Sequence, residues 1–150
     1  MDEIDRKILR ELAANGALSN QDLAARVNLS PSPCLRRVRA LEAAGAIRGY
    51  VALIEGSALG AGFVAYVEVR LERQAEAFSQ RFENVALSRR EIIDCAFVTG
   101  DFDYLLKIAV ADLDEFHRFL TQVLTRIEGV ANTRTIIPVK RIKEGGRRVG

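Results

Sequence analysis

Apolar positions in the first third of the chain recur at helical spacing, in three short runs separated by polar punctuation. Ile4, Ile8, Leu9 and Leu12 share one face over residues 2–14 and predict a first helix. Leu23, Ala24 and Val27 supply the buried side of a second, with Ser19 as its N-cap and Asp22, three residues on, completing a capping box. Cys34, Val38 and Leu41 fall at i, i+4 and i+7, the buried stripe of a third. Asn28, between the second and third, tolerates the left-handed backbone of a sharp turn. Ser30 reads as the N-cap of the third helix, Pro31 as its first residue and Gly45 as its C-cap, with Ile47 just beyond.

After residue 46 the period changes from helical to alternating. Residues 47–54 read as a strand leaving the helical domain, and residues 55–62, with Gly56, Gly60 and Gly62, as a hinge. Phe63, Ala65, Val67, Val69 and Leu71 alternate with Glu68, Arg70 and Glu72 as a half-buried strand. A helix is expected from Gln74 to about Ala86, presenting Ala75, Phe78, Phe82 and Val85. Strands over 92–98 and 104–110 follow, joined by the turn Thr99-Gly100-Asp101-Phe102-Asp103. A second helix starts near Asp112 and aligns Leu113, Phe116, Leu120, Val123 and Ile127 toward a core; Gly129 ends it, and residues 130–139 form a last strand whose pairing stops at Pro138.

The class is therefore α+β: an N-terminal helix-turn-helix and a C-terminal β-α-β-β-α-β ferredoxin-like sandwich. The expected organisation is a helical domain over 1–46, a connecting strand and hinge over 47–62, a sandwich over 63–139 and a basic tail over 140–150. Two helices on one face of the sheet leave the other bare. Val64 and Tyr66, with Ile93, Cys95 and Phe97, are the expected surface for another subunit.

Composition narrows the function classes. The net charge of +2 is small, but it is unevenly placed: the tail holds Lys140, Arg141, Lys143, Arg147 and Arg148 against one acid, Glu144. A frayed, soluble end is favoured over a phosphate-contacting arm. No apolar run is long enough to cross a membrane, and Asp2, Glu3 and Asp5 stand where a secretory leader needs positive charge, which points to the cytoplasm. Cys34, Cys95 and the single His117 make no metal-ligand spacing, so no metal or cofactor is expected. Asp101 and Asp103 are spaced like an acid–base pair, but no nucleophile, second base or metal cluster accompanies them, which argues against an enzyme.

The third helix carries Arg36, Arg37 and Arg39, with Ser32, Arg36 and Arg39 together on a face away from its buried stripe. Cationic side chains there suit insertion into a major groove, because arginine contacts both phosphates and guanine edges. The same pattern also describes an ordinary solvated face. The turn at Gly100 suits a free amino acid: Asp101 and Asp103 for the ammonium, backbone N–H groups around Gly100 for the carboxylate, apolar strand residues for the side chain. A charged hairpin without a ligand fits that turn as well.

Three separated motifs carry a resemblance. They are Leu29-Ser30-Pro31-Ser32-Pro33-Cys34-Leu35-Arg36-Arg37-Val38-Arg39-Ala40-Leu41-Glu42 followed by Gly45, Val98-Thr99-Gly100-Asp101-Phe102-Asp103-Tyr104-Leu105-Leu106-Lys107, and Gly129-Val130 with Thr133-Arg134-Thr135. Together they resemble the Lrp/AsnC (feast/famine) transcriptional regulators over essentially the whole chain, nearest the leucine-responsive branch. The resemblance implies a winged helix-turn-helix, an amino-acid-sensing sandwich, homodimers assembling to octamers, and control of amino-acid metabolism genes. It implies DNA contacts at Ser30, Ser32, Pro33, Arg36, Arg37 and Arg39, and effector contacts at Thr99, Gly100, Asp101, Asp103, Thr133, Thr135, Ile136 and Ile137. Ile136, where the leucine-responsive proteins usually place an aromatic residue, and Pro138 depart from the pattern and leave the effector's identity open. Two other classes fit part of the chain: an amino-acid-binding regulatory module, which leaves the arginine helix idle, and an architectural DNA-compacting protein, which ignores the effector loop.

Overall fold

The structure, a computed structural model, describes residues 1–73 and 75–144, together with the backbone of 147–148. Gln74, the expected helix start, and the side chains of Arg147 and Arg148 lie outside the described residues. The chain divides into two compact units, residues 1–53 and 54–150, each with its own core.

Unit 1 holds three helices: α1 (Glu3–Ala14), α2 (Asn20–Arg26) and α3 (Pro31–Ala43). Ile8, Leu23, Ala24, Val27, Cys34, Val38 and Leu41 form its core, with Ile4, Leu12, Leu29 and Ile47 packed around them. Ile8 and Cys34 are wholly buried. Truncating Ile8 to Ala therefore costs about 2–5 kcal/mol.

The turn between α2 and α3 is built from its ends. Asn28 has φ 57°, and the N–H groups of Asn28 and Leu29 donate back to the Ala25 and Ala24 carbonyls at 3.3 and 2.9 Å. This double bond pattern is a Schellman motif, with Leu29 tucked against the core as its apolar closure. Gly45 repeats the motif after α3: with φ 71° it donates to Glu42, and Ala46 donates to Leu41 at 2.9 Å. Asn20 Nδ2 donates to the Pro31 carbonyl at 2.8 Å and ties the start of α2 to the start of α3.

Two capping expectations change. Ser19 Oγ accepts the Asp22 N–H at 3.0 Å as expected, but its own hydroxyl donates to the Asp22 carboxylate at 2.6 Å, so the reciprocal half of the box engages the Ser19 side chain rather than its backbone. Ser30 occupies the N-cap of α3 without a side-chain cap bond, the entry being held instead by Pro31 at the first position. A full capping box forms where none was expected, at α1, between Asp2 and Asp5.

Residues 47–54 form no strand, and among the described residues no strand pairs with them. Tyr50, Val51 and Leu53 are exposed, and Tyr50 Oη donates to Glu42 at 2.9 Å.

Unit 2 runs β1 (Phe63–Leu71), α4 (Glu76–Ser88), β2 (Ile92–Phe97), β3 (Tyr104–Val110), α5 (Leu113–Gln122) and β4 (Val130–Ile136), with a short 3-10 turn Gly56–Leu59 before β1 and another, Leu124–Arg126, after α5. The sheet order is β2-β3-β1-β4, all antiparallel, as a ferredoxin-like sandwich requires. Ala65, Val67 and Val69 of β1 and Tyr104, Leu106 and Ile108 of β3 pack with Phe82, Phe116 and Phe119 of the helices. Leu113 is exposed rather than core-facing, and Phe119 takes that place. β4 ends at Ile136, short of the expected 139.

Directly paired residues share a face of a sheet. Val64, Tyr66, Glu68 and Arg70 therefore lie with Leu105, Lys107 and Ala109 and with Asn132, Arg134 and Ile136 on the side away from the helices. Cys95 and Phe97 pair with Leu106 and Tyr104 and so belong to the opposite, helix-bearing side at the β2 edge. The expected single surface of Val64, Tyr66, Cys95 and Phe97 is thus two surfaces. The tail is not frayed up to residue 144: Glu144 accepts from Lys107 Nζ at 2.6 Å and from Arg141 at 3.1 Å, and β5 (Lys143–Glu144) pairs with β6 (Arg147–Arg148).

Candidate functional site

Each unit presents one candidate site. In unit 1, the stripe Ser32, Arg36 and Arg39 is solvent-exposed along α3, opposite Cys34, Val38 and Leu41. Ser30 is exposed at the start of α3 and Pro33 is half-buried one turn in. The exposed guanidiniums of Arg36 and Arg39 carry no ion pair among the described residues.

Arg37 is placed differently. It sits at the rim between the exposed and buried stripes, and its Nη1 donates to Asp2 Oδ2 at 2.7 Å and to Asp5 Oδ1 at 2.8 Å. Both acids are held below the usual carboxylate range, by the cap hydrogen bond each receives from the other's backbone and then by Arg37. Arg37 is shifted the opposite way by the same two carboxylates. No helical periodicity shows this pairing, because its partners lie 32 and 35 residues away.

In unit 2, the residues of the 98–103 turn are ordered by their neighbours. Gly100 adopts φ 113°, Val98 N–H donates to the Asp103 carbonyl at 2.8 Å, and Arg70 Nε donates to the Asp101 carbonyl at 2.7 Å. The guanidiniums of Arg70 and Arg134 lie over the Phe102 ring, 5.3 and 4.9 Å from its centre. Arg134 also pairs with Glu68 on the neighbouring strand. Phe102 and Arg134 lie within the expected turn and last strand, whereas Arg70 carries no sequence signal of its part in this cluster.

Asp103 and Asp101 sit in different surroundings. The Asp103 carboxylate is buried and accepts the Leu71 N–H at 2.7 Å, beside the irregularity between Arg70 and Leu71 in the β1–β4 pairing. Thr99, Gly100 and Asp101 are exposed. Thr133 and Thr135 pair with Val69 and Val67 on the helix side of β4, whereas Ile136 pairs with Tyr66 on the other side. Arg70 and Tyr66, four residues apart on β1, are separated by about 13 Å of strand. The turn and the Ile136–Ile137 end of β4 are therefore not one enclosed pocket within a single chain. A groove of about 480 Å³ lies between α4 and β2, lined by Glu83, Leu87, Ile93, Asp94, Cys95 and Phe97 among others, and none of the expected effector residues lines it.

Residues 1–48 match the family model described as a winged helix-turn-helix DNA-binding domain, and residues 64–148 match the one described as the Lrp/AsnC ligand binding domain. The chain is 43% identical over 149 residues to the leucine-responsive regulatory proteins of Klebsiella pneumoniae and of Escherichia coli strain K12, spanning 99% of this chain and 91% of each relative. A transcriptional regulator of Neisseria meningitidis, solved as a complex with L-Met, has a TM-score of 0.91 at 37% identity and covers 96% of this chain and 93% of its own. An AsnC family regulator of Agrobacterium tumefaciens has a TM-score of 0.89 at 32% identity, covering 96% and 94%. No helix among the described residues is long and apolar enough to cross a membrane.

Proposed function

Since the chain belongs to the Lrp/AsnC family of transcriptional regulators, we propose that it binds duplex DNA through α3 and adjusts that binding to a small, mostly apolar amino acid held by unit 2. The observation that carries the DNA half is the exposed Ser32, Arg36 and Arg39 stripe on the second helix of a rigidly turned pair. Arg36 and Arg39 contact guanine edges or phosphates, and Ser30, Ser32 and Pro33 seat the start of α3 at the groove.

The effector half rests on the 98–103 turn and on the L-Met complex of the Neisseria relative. Asp101 and the N–H groups around Gly100 take the ammonium and carboxylate; Thr133, Thr135, Ile136 and Ile137 contribute polar and apolar surface. Because these residues are spread over both faces of β4 in one chain, the pocket is completed by a second copy. The protein acts as a homodimer that assembles further, toward an octamer, in the cytoplasm on amino-acid metabolism genes. Occupancy shifts assembly only if the ligand prefers one assembly over another.

The test is a mobility shift on duplexes recovered by the protein from a random-sequence pool, run with and without each of the twenty amino acids. Arg36→Ala and Arg39→Ala are each expected to weaken binding by about 1–3 kcal/mol if they read bases. Unchanged affinity in both variants would move recognition off α3. Indifference of DNA binding and of assembly to every amino acid would leave the architectural, effector-free reading in its place.

A further inference from the structure

Arg37 is the one arginine of α3 with a closed set of partners among the described residues. Each acid it holds uses its two oxygens for different jobs. Asp2 Oδ1 takes the Asp5 N–H and Asp5 Oδ2 takes the Asp2 N–H, both at 2.9 Å, which completes the N-cap of α1. The remaining oxygens, Asp2 Oδ2 and Asp5 Oδ1, converge on Arg37 Nη1. Two carboxylates forced together by a capping box repel one another, and a guanidinium nitrogen bridging them removes that repulsion. To reach a phosphate, Arg37 has to surrender two charge-assisted bonds and leave both acids uncompensated beside a polyanion.

We infer that Arg37 is a positioning residue, which locks the N-terminus of α1 to the middle of α3 and so sets the angle at which Ser32, Arg36 and Arg39 are presented. The inference rests on the reading that α3 enters the groove. It assigns Asp2 and Asp5 a part in DNA binding although both are negatively charged and their bonds go to each other's backbone and to Arg37.

The salt dependence of binding separates positioning from contact, since each phosphate contact contributes about 0.9 to the slope of log affinity against log salt. The full-length protein is titrated with a duplex recovered from a random-sequence pool between roughly 50 and 200 mM salt. Arg37→Ala is expected to weaken binding with the slope unchanged. The pair Asp2→Asn with Asp5→Asn, which keeps good capping side chains, is expected to weaken binding too, and adding Arg37→Ala to it brings no further loss. A slope reduced by about 0.9 in Arg37→Ala, or tighter binding in the Asn pair, would overturn the inference. Should Arg37→Ala fail to fold, the sign of the Asn pair decides alone. Thermal melts of the same variants without DNA supply an independent cycle, in which absence of coupling between Arg37 and the two acids also overturns it. Arg39→Ala serves as the reference: an unchanged slope and affinity there count against α3 in the groove and leave the coupling measured by melting intact.

Discussion

Asp103 and Leu71 form a hydrogen bond that continues the sheet past the end of a strand: the buried carboxylate accepts the Leu71 N–H at 2.7 Å, while the Asp103 N–H donates to the Val69 carbonyl at 2.9 Å. The side chain takes the place of a strand carbonyl that β3 does not supply. Asp103→Ala leaves that buried N–H unpaired and is expected to cost about 1–3 kcal/mol, read as a lowered melting temperature. Asp101→Ala, at an exposed position, is expected to leave melting unchanged and to weaken the response to amino acid. Equal destabilisation by the two substitutions would contradict this division of labour.

Acid sensitivity follows from the α1 cap. Asp2 and Asp5 are held below the ordinary 3.8 in the folded chain, so the unfolded chain binds protons first as pH falls. Their contribution to stability is fully present above the unfolded value and is lost as pH drops through the lower folded values. Thermal melts across that window are expected to converge: the Asn pair melts lower than the parent near neutral pH and approaches it in acid. A constant gap at every pH would place the stabilisation elsewhere.

Gly129 is expected to tolerate no side chain. It has φ 96°, and a Cβ there would meet Phe78 at 2.6 Å. Strain and overpacking together make Gly129→Ala cost about 2–4 kcal/mol in chemical denaturation. Gly100, at φ 113° with open space around it, carries the strain without the clash. Gly100→Ala is accordingly the milder variant, and a reversal of that order would show that Phe78 yields.

Residues 54–150 have their own core and a sheet face that presents Val64, Tyr66, Leu105, Ala109 and Ile136. Sedimentation of that fragment is expected to give a dimer or larger species. A soluble monomer at micromolar concentration would remove the argument for paired recognition helices.

What could be read along the chain was what local periodicity and backbone chemistry control. The helices around Ile8, Leu23 and Val38, the left-handed Asn28 and the strand order through Val67 and Leu106 all follow from spacing and residue type. What could not be read was decided by partners distant in sequence. Arg37 shares the cationic run of α3 with Arg36 and Arg39, but Asp2 and Asp5, arriving from another helix, take its guanidinium. The sequence spacing of Asp101 and Asp103 gives no sign that the Asp103 carboxylate accepts the Leu71 N–H. Residues 47–54 have strand composition but no pairing partner among the described residues, and composition alone does not make a ladder.

Residues 48–55, which lead from one unit into the other, have neither helix nor strand of their own, and Val51 and Leu53 are 89% and 64% exposed there. In the proposed dimer joined through the C-terminal unit, the stretch after Tyr50, which is itself held to Glu42, would be a tether, and a short tether delivers a second reading head at a local concentration in the millimolar range. Its contour sets how far apart two half-sites can lie before that advantage vanishes. On that proposal, the choice among DNA sites would depend on distance as well as on base identity. Residues inserted at 48–55 would widen the tolerated spacing without altering any atom that touches a base.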